Sequence, residues 1–316
     1  MRRRLDNRLL GLIAALTTLV VLNVAITPNF LNMQTLAVNA SQVSTIAIVA
    51  LGMTLVIASG GIDLSVGAVM AVAGALAPIL FLSDWALANP ALGLFAAITL
   101  PLCVAAICGV FNGTLISLLG VQPIVATLIF FISGRGIAQV MTNGNLQTFN
   151  NPSFTWLGTG RILGLPVQAW IALVLMLVIA WVVRRTLYGR YLLAIGGNER
   201  AAALAGVPVT RVKIATYAIS AILAGLAGLI VVAINSASDA ARIGQLMELD
   251  AIAASVVGGA ALSGGRAPIL GTVLGAVFIQ LMDYTLIANG IPDEATLIVT
   301  AGIIVIAIWL QSGRRV

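Results

Sequence analysis

Long apolar runs alternate with short polar joints along this chain, and most runs reach roughly 17 to 25 residues, the length a helix needs to cross a bilayer. Read against their flanks, they predict helices over 9–26, 36–58, 64–82, 92–119, 123–141, 167–183, 212–233, 250–262, 268–287 and 296–311. The expected fold class is therefore an all-α polytopic membrane protein of about ten transmembrane helices. No polar segment is long enough for a separate soluble domain, so residues 1–316 are expected to form a single transmembrane domain. The first run follows Met1-Arg2-Arg3-Arg4 as a signal peptide would, but no clear small-residue cleavage site precedes Pro28, and it is read as a retained helix.

One interruption differs from the other joints. Between the apolar stretches 43–58 and 66–82 the chain reads Ser59-Gly60-Gly61-Ile62-Asp63-Leu64-Ser65-Val66-Gly67, a glycine-broken polar segment at membrane level. Unwound backbone is tolerated there only when it is buried in protein or lines water, which points to transport rather than soluble chemistry. Gly60, Gly61, Asp63 and Ser65 are candidate gate or hinge residues. Asp63 has two readings: a cap on the amides of Ser65 or Val66, or a charge that works the Gly60-Gly61 hinge.

Composition agrees: 60% of the 316 residues are apolar and 8% charged, with a mean hydropathy of +1.11. The net charge of +6 is not a nucleic-acid signal, because the basic residues sit in short segments between apolar runs. With the amino terminus inside, thirteen of the 16 basic residues fall on the inner side: Arg2, Arg3, Arg4, Arg8, Arg184, Arg185, Arg190, Arg200, Arg211, Lys213, Arg266, Arg314 and Arg315. Both termini are therefore expected to be cytoplasmic. The outer side collects Asp84, Asp239, Glu248, Asp250, Asp293 and Glu294, and the last four are read as favourable charges at the amino-terminal ends of the eighth and tenth crossings. Gly109-x-x-x-Gly113 and Gly271-x-x-x-Gly275 are read as close helix packing, and Ser263-Gly264-Gly265 faintly echoes Ser59-Gly60-Gly61.

Several chemistries are excluded. Histidine is absent, and Cys103 and Cys108 lie in one predicted helix, so imidazole catalysis and a structural zinc site are ruled out and no metal site is expected. The only lysine, Lys213, is followed by Ile214, so there is no phosphate-cradling loop of the usual kind. Transport energised by ATP would need a separate ATPase and a cytoplasmic element to receive it. The longest charged segment, 184–213, holds a punctuated short helix. Asn198 caps it, Glu199 complements its dipole, Ala201 to Ala205 propagate it, Gly206 closes it and Pro208 prevents continuation. It reads either as a docking knob or as a positive-inside anchor that happens to be helical.

The segment from Ala50 to Gly67 resembles the hallmark wording of the inner-membrane permeases of bacterial ribose-type sugar ABC importers, a family with branched-chain amino-acid relatives. Phe111-Asn112-Gly113, Ala126-Thr127, Gly134-Arg135-Gly136, Gly196-Gly197-Asn198 and Ala205-Gly206-Val207 extend the resemblance over nearly the whole chain. The stretch 135–149 and Asn151-Pro-x-Phe-x-Trp-x-Gly158 look most like the galactofuranose-type subgroup. The resemblance implies a permease subunit, not an enzyme, which moves a pentose or hexose, galactofuranose among them, into the cytoplasm. It implies two permease copies or a permease and a paralogue, cytoplasmic ATP-binding subunits that use the ATP, a periplasmic sugar-binding protein, and no cofactor on this chain. It also makes 198–207 the expected coupling helix, with Gly197, Asn198, Glu199, Arg200, Ala202, Ala205 and Gly206 as its contacts. Bulky replacements at Glu199 or Ala202 are expected to uncouple ATP hydrolysis and leave the membrane fold intact.

A sugar path needs amides and hydroxyls between apolar walls rather than a fixed charge. Asn39, Gln42, Asn112, Gln122, Thr127, Arg135, Gln139, Gln280, Asp283 and Tyr284 are its candidate residues, each with interhelical hydrogen bonding as the alternative. Arg135 is expected to face the bundle interior, holding carbonyls, pairing with Asp283 or lining the path. Phe149, Phe154 and Trp156 in the outer loop are candidate anchors for a binding protein or for the lipid interface. Two rival readings stay open: a branched-chain amino-acid permease, and an ion-coupled carrier.

Overall fold

The computed structural model describes residues 7–292, 295–299, 301–302 and 305. In chain order the elements are α1 (Asn7–Ile26), α2 (Met33–Ala58), α3 (Val66–Phe81), α4 (Asp84–Ala88), α5 (Pro90–Ser117), α6 (Pro123–Met141), β1 (Gln147–Thr148), α7 (Pro152–Thr159), β2 (Arg161–Ile162), β3 (Leu165–Pro166), α8 (Val167–Arg185), α9 (Leu187–Gly197), α10 (Glu199–Leu204), α11 (Val209–Asn235), β4 (Ala237–Ser238), α12 (Met247–Val257) and α13 (Ile269–Ala288). Among the described residues seven helices are long and apolar enough to cross a membrane, namely α1 from Leu9 onward, α2, α5, α6, α8, α11 and α13; α3 is apolar but shorter. The chain is an all-α polytopic membrane protein.

Burial divides the helices into two sets. α2 and α11 are buried over most of their length, as helices apolar all round should be, whereas α1, α5, α6 and α8 have most of their positions only partly buried or exposed. α11 packs on α5, α2 and α3, while α12 and α13 pack on each other and on α2. Small residues permit this closeness. A Cβ built on Gly109 would lie 2.4 Å from the Tyr217 carbonyl oxygen, and one on Gly275 would lie 2.1 Å from that of Ala254, so α5 meets α11 and α13 meets α12 backbone to backbone.

Three expectations change. The eighth crossing, expected over 250–262, is a helix of 11 residues over Met247–Val257, about 16 Å long and too short to span. Residues 236–246 enter without helix: Ser236, Gly244 and Leu246 have positive φ, and Gly259 with φ +98° closes the far end. The apolar Gly258-Gly259-Ala260-Ala261-Leu262 read as helix only because composition hides such a stop. The segment 184–213 contains a second helix, α9, ahead of the short one. The outer loop is also built up, with α7 and a β2–β3 hairpin turning at Leu163-Gly164, both at positive φ. The tenth expected crossing, 296–311, lies largely outside the described residues, as do Asp293 and Glu294; 295–299 are helical.

Candidate functional site: a broken-helix core, a polar cavity and a capped knob

α2 ends at the interruption in a Schellman closure. The Gly60 amide donates to Ile57 O at 2.9 Å, the Gly61 amide donates to Val56 O at 3.1 Å, and Gly60 holds φ +86°. Gly61 is required for a different reason: a Cβ there would sit 2.4 Å from the Tyr217 hydroxyl. The unwound turn that follows is sealed by hydrogen bonds from three other helices. Asp63 Oδ1 accepts from the Ser65 amide at 3.0 Å and the Ser65 hydroxyl at 2.5 Å, and Oδ2 accepts from the Ser220 hydroxyl of α11 at 3.1 Å. Asn112 of α5 donates to Ser65 Oγ at 2.9 Å, and the Leu64 amide donates to Thr127 Oγ1 of α6 at 3.1 Å. Asp63, Ser65, Asn112 and Thr127 are all buried, so the break is enclosed by protein.

A second unwound segment, 236–246, runs beside the start of α3. A Cβ on Gly67 would lie 2.2 Å from Gly244 O and 2.6 Å from Glu248 Oε2. Arg135 serves this segment. Its Nη1 donates to the carbonyls of Ala240, Ala241 and Ile243 at 3.4, 2.8 and 3.2 Å, and its Nη2 donates to Gly244 O at 3.3 Å. Of the roles open to it from the sequence, Arg135 holds carbonyls that have no helix to satisfy them. Among the described residues these carbonyls, rather than Asp283, are its hydrogen-bond partners.

Asp283 lies elsewhere, in a cavity of about 320 Å³ between four helices. α2 contributes Gln42, Thr45 and Ile46; α11 contributes Val231, Ile234 and Asn235; α12 contributes Met247 and Asp250; α13 contributes Gln280 and Asp283. Gln280 Nε2 donates to Gln42 Oε1 at 2.5 Å, leaving the other half of each amide for a ligand. Aliphatic walls with two carboxylates and three amides can hold a small polyhydroxylated molecule. Asp250 and Asn235 were not among the sequence candidates. Asp250 read as a helix-end charge on the outer side, but the re-entry of 236–246 carries the start of α12 into the bundle.

The other path candidates disperse. Asn39 is buried in α2, donating to Thr35 O at 3.0 Å, and Tyr284 stacks with Phe30 at 5.9 Å. Gln122 and Gln139 are exposed at either end of α6. In the loop 142–166 Phe149 and Phe154 pack with Phe81 at centroid distances of 4.8 and 5.0 Å, which buries Phe154 and half-buries Phe149, while Leu146, Trp156, Ile162, Leu163 and Leu165 are its exposed large apolar side chains.

In the charged segment 184–213, Asn198 Oδ1 accepts from the Ala201 amide at 3.0 Å, Gly206 closes α10 at φ +81°, and Lys213 bridges Glu199 at 2.7 Å. Gly197, Asn198, Arg200, Ala205 and Gly206 are exposed, and Leu204 is 91% exposed. Ala202 faces inward at 6% exposure, so a bulky residue there would strain packing as well as any docking surface, contrary to the expectation that the fold would be left intact. α9 is tied to α11 by the Tyr188 hydroxyl on Thr216 Oγ1 at 2.8 Å, and burial pushes that phenol up to about 12. The end of α9 meets the end of α2 and the 264–265 turn. The Gly265 amide donates to Ala58 O at 2.9 Å, and a Cβ on Gly196 would lie 1.8 Å from that same oxygen. The echoing triplets at 59–61 and 263–265 therefore flank one contact.

A polytopic helical bundle with enclosed backbone breaks, a polar cavity and an exposed, capped short helix has the parts of a membrane permease. The chain belongs to the family described as branched-chain amino acid transport system / permease component, whose match spans residues 36–308. It is 42% identical over 275 residues to the galactofuranose transporter permease protein of Escherichia coli K12, covering 87% of this chain and 78% of that protein. It is 36% identical over 306 residues to the ribose import permease protein of the same strain, covering 95% and 92%. The fructose import permease protein of Bifidobacterium longum is 37% identical over 270 residues, covering 84% and 74%. No solved structure matches. The chain is thus a transport component, not an enzyme, and a multi-pass protein of the inner membrane.

Proposed function

We propose that this chain is the permease subunit of an ATP-binding-cassette importer for a monosaccharide, and that the sugar rests in the cavity bounded by Gln42, Asn235, Asp250, Gln280 and Asp283. The single observation behind the placement is Asp250: half-buried on the cavity wall, its carboxylate has no hydrogen-bond partner among the described residues. Sugar hydroxyls donate to carboxylates and both donate to and accept from amides, and the aliphatic side chains suit a ring face. The three relatives named above carry galactofuranose, ribose and fructose in their names. An amino acid fits less well, because its carboxylate would need a cation. No basic residue lines the cavity, Arg135 is engaged elsewhere, and the start of α12 already carries Glu248 and Asp250.

In this reading the unwound 236–246 and the short α12 together make the eighth of ten passes, so both termini lie in the cytoplasm, two permease copies or a permease and paralogue form the complex, and a periplasmic binding protein delivers the sugar. ATP is bound and hydrolysed by partner subunits that grip 197–206, and this chain binds no cofactor. Their closure moves α9–α10, which presses on the end of α2 and on the 264–265 turn through Gly196. The carboxylates at 250 and 283 also give an ion-coupled carrier a specific foothold, so the test must separate the two.

The test is uptake of a labelled monosaccharide and amino-acid panel into proteoliposomes holding the chain with and without its ATPase and binding protein. ATP-dependent entry of one sugar is expected, with Asp250→Asn lowering it about ten-fold or more, as loss of a hydrogen bond to a charged acceptor implies. Entry driven by an ion gradient without the ATPase would establish the carrier, amino-acid entry would replace the substrate class, and normal sugar uptake by Asp250→Asn would move the path elsewhere.

A further inference from the structure

The joint between α8 and α9 forms a groove of about 980 Å³, lined by Arg184, Arg185, Arg190, Trp181, Leu193 and Ala267 among others, with no acidic residue in its wall. Arg184 and Arg185 end α8, where the helix dipole favours them. Arg190 does not share that explanation. It lies in the first turn of α9, the end at which a cation is disfavoured, and it lines the same groove as the other two arginines. The ion pairs formed by described residues, Lys213 with Glu199 and Arg242 with Asp239, involve none of the three. Three like charges converging on one groove against local helix electrostatics leave a repulsion that a bound anion would relieve.

The groove is not a site for a simple water-borne anion. Val174, Leu177, Val178 and Trp181 lie three or four residues apart on α8 and are 56%, 57%, 49% and 62% exposed, so an apolar stripe runs along a membrane-spanning helix straight into the arginines. Trp181, one turn from the arginines, has the amphipathic ring that suits the headgroup level. A cationic cup at the end of an apolar stripe matches one ligand chemistry: a phosphodiester headgroup with its acyl chain lying on the helix.

We propose that the α8–α9 elbow is a binding site for an anionic phospholipid, with Arg184, Arg185 and Arg190 on the phosphate and the Val174-Leu177-Trp181 stripe along the chain. Its assignment to the inner leaflet rests on the orientation given under the proposed function; the binding itself does not. Each arginine beside an anionic lipid contributes about five-fold in affinity, so the three together separate anionic from zwitterionic lipid by about a hundred-fold.

Native mass spectrometry of the full chain in detergent tests this, with dioleoyl phosphatidylglycerol, dioleoyl phosphatidylcholine and inorganic phosphate as probes. The expected result is retention of phosphatidylglycerol on the wild type, weak retention of phosphatidylcholine, no displacement by millimolar phosphate, and a loss of about five-fold for each of Arg184→Gln, Arg185→Gln and Arg190→Gln. A photoactivatable phosphatidylglycerol should crosslink to 174–193 in the wild type, which keeps the test independent of how the variants fold. Equal retention of the two lipids, complete displacement by phosphate, crosslinking elsewhere, or arginine variants that keep the lipid and instead lose the ATPase would each overturn the proposal. None of these readouts depends on which solute is transported.

Discussion

Adjacent glycines at the end of α9 offer an internally controlled perturbation. In Gly196→Ala the added methyl would sit 1.8 Å from Ala58 O and 2.4 Å from the Gly265 nitrogen, and both are backbone atoms that cannot rotate aside. Relief requires separating α9 from the end of α2 and from the 264–265 turn, which also breaks the Gly265-to-Ala58 hydrogen bond of 2.9 Å. Overpacking of this kind costs about 1–3 kcal/mol and the lost hydrogen bond about 1 kcal/mol more, so a destabilisation of about 2–4 kcal/mol is expected. In Gly197→Ala the new methyl has nothing within 4 Å and the residue is helical, so the change should be neutral or stabilise by up to about 1 kcal/mol. Thermal or denaturant unfolding of the two purified variants in one detergent gives the comparison, and ATPase activity of the assembled complex with and without sugar reports coupling. Gly196→Ala should unfold earlier and hydrolyse ATP with a weakened response to sugar. Equal melting of the two variants would show that the seam among α9, α2 and the 264–265 turn is not packed as described, and the transmission argument would fail with it.

Other substitutions address the remaining sites. Asp63→Ala strands the Ser65 amide and the Ser220 hydroxyl and should cost about 3 kcal/mol in unfolding measurements, whereas Asp63→Asn keeps an acceptor and should cost about 1 kcal/mol; unimpaired transport by the asparagine variant would remove the charge from the mechanism. Arg135→Gln releases four carbonyl contacts and leaves Glu248 without its nearest cation, so a loss of about 3 kcal/mol or more is expected, and melting like the wild type would refute that role. Leu204→Glu at the exposed tip of α10 should leave the melting temperature unchanged while weakening capture of the ATPase subunit, and Ala202→Leu should lower the melting temperature by overpacking. Reversal of those two outcomes would mean that α10 packs the other way round.

Residues whose conformation depends on near neighbours were readable in the sequence. Asn198, Gly206 and Pro208 mark α10 because capping, left-handed closure and the missing proline amide act within a turn. The interruption at 59–65 was visible for the same reason. Arg135 could be placed facing inward by its solvation cost alone, but nothing local says that its partners are carbonyls about a hundred positions later. Residues 236–246 fell outside the expected helices, and Asp250 lies in the first turn of α12 as a helix-end charge should, but nothing local says that this turn lines a cavity with Gln42 and Gln280.

The sequence by itself therefore determined the apolar helices, the broken turn after α2 and the capped knob, since hydrophobic length, turn chemistry and helix caps are short-range properties. Tertiary structure alone decided which polar groups meet. The cavity draws Gln42, Asn235, Asp250, Gln280 and Asp283 from four helices, and α8 and α9 bring three arginines to one elbow. Such meetings follow from how helices pack and where a chain re-enters the bundle, which no local pattern encodes.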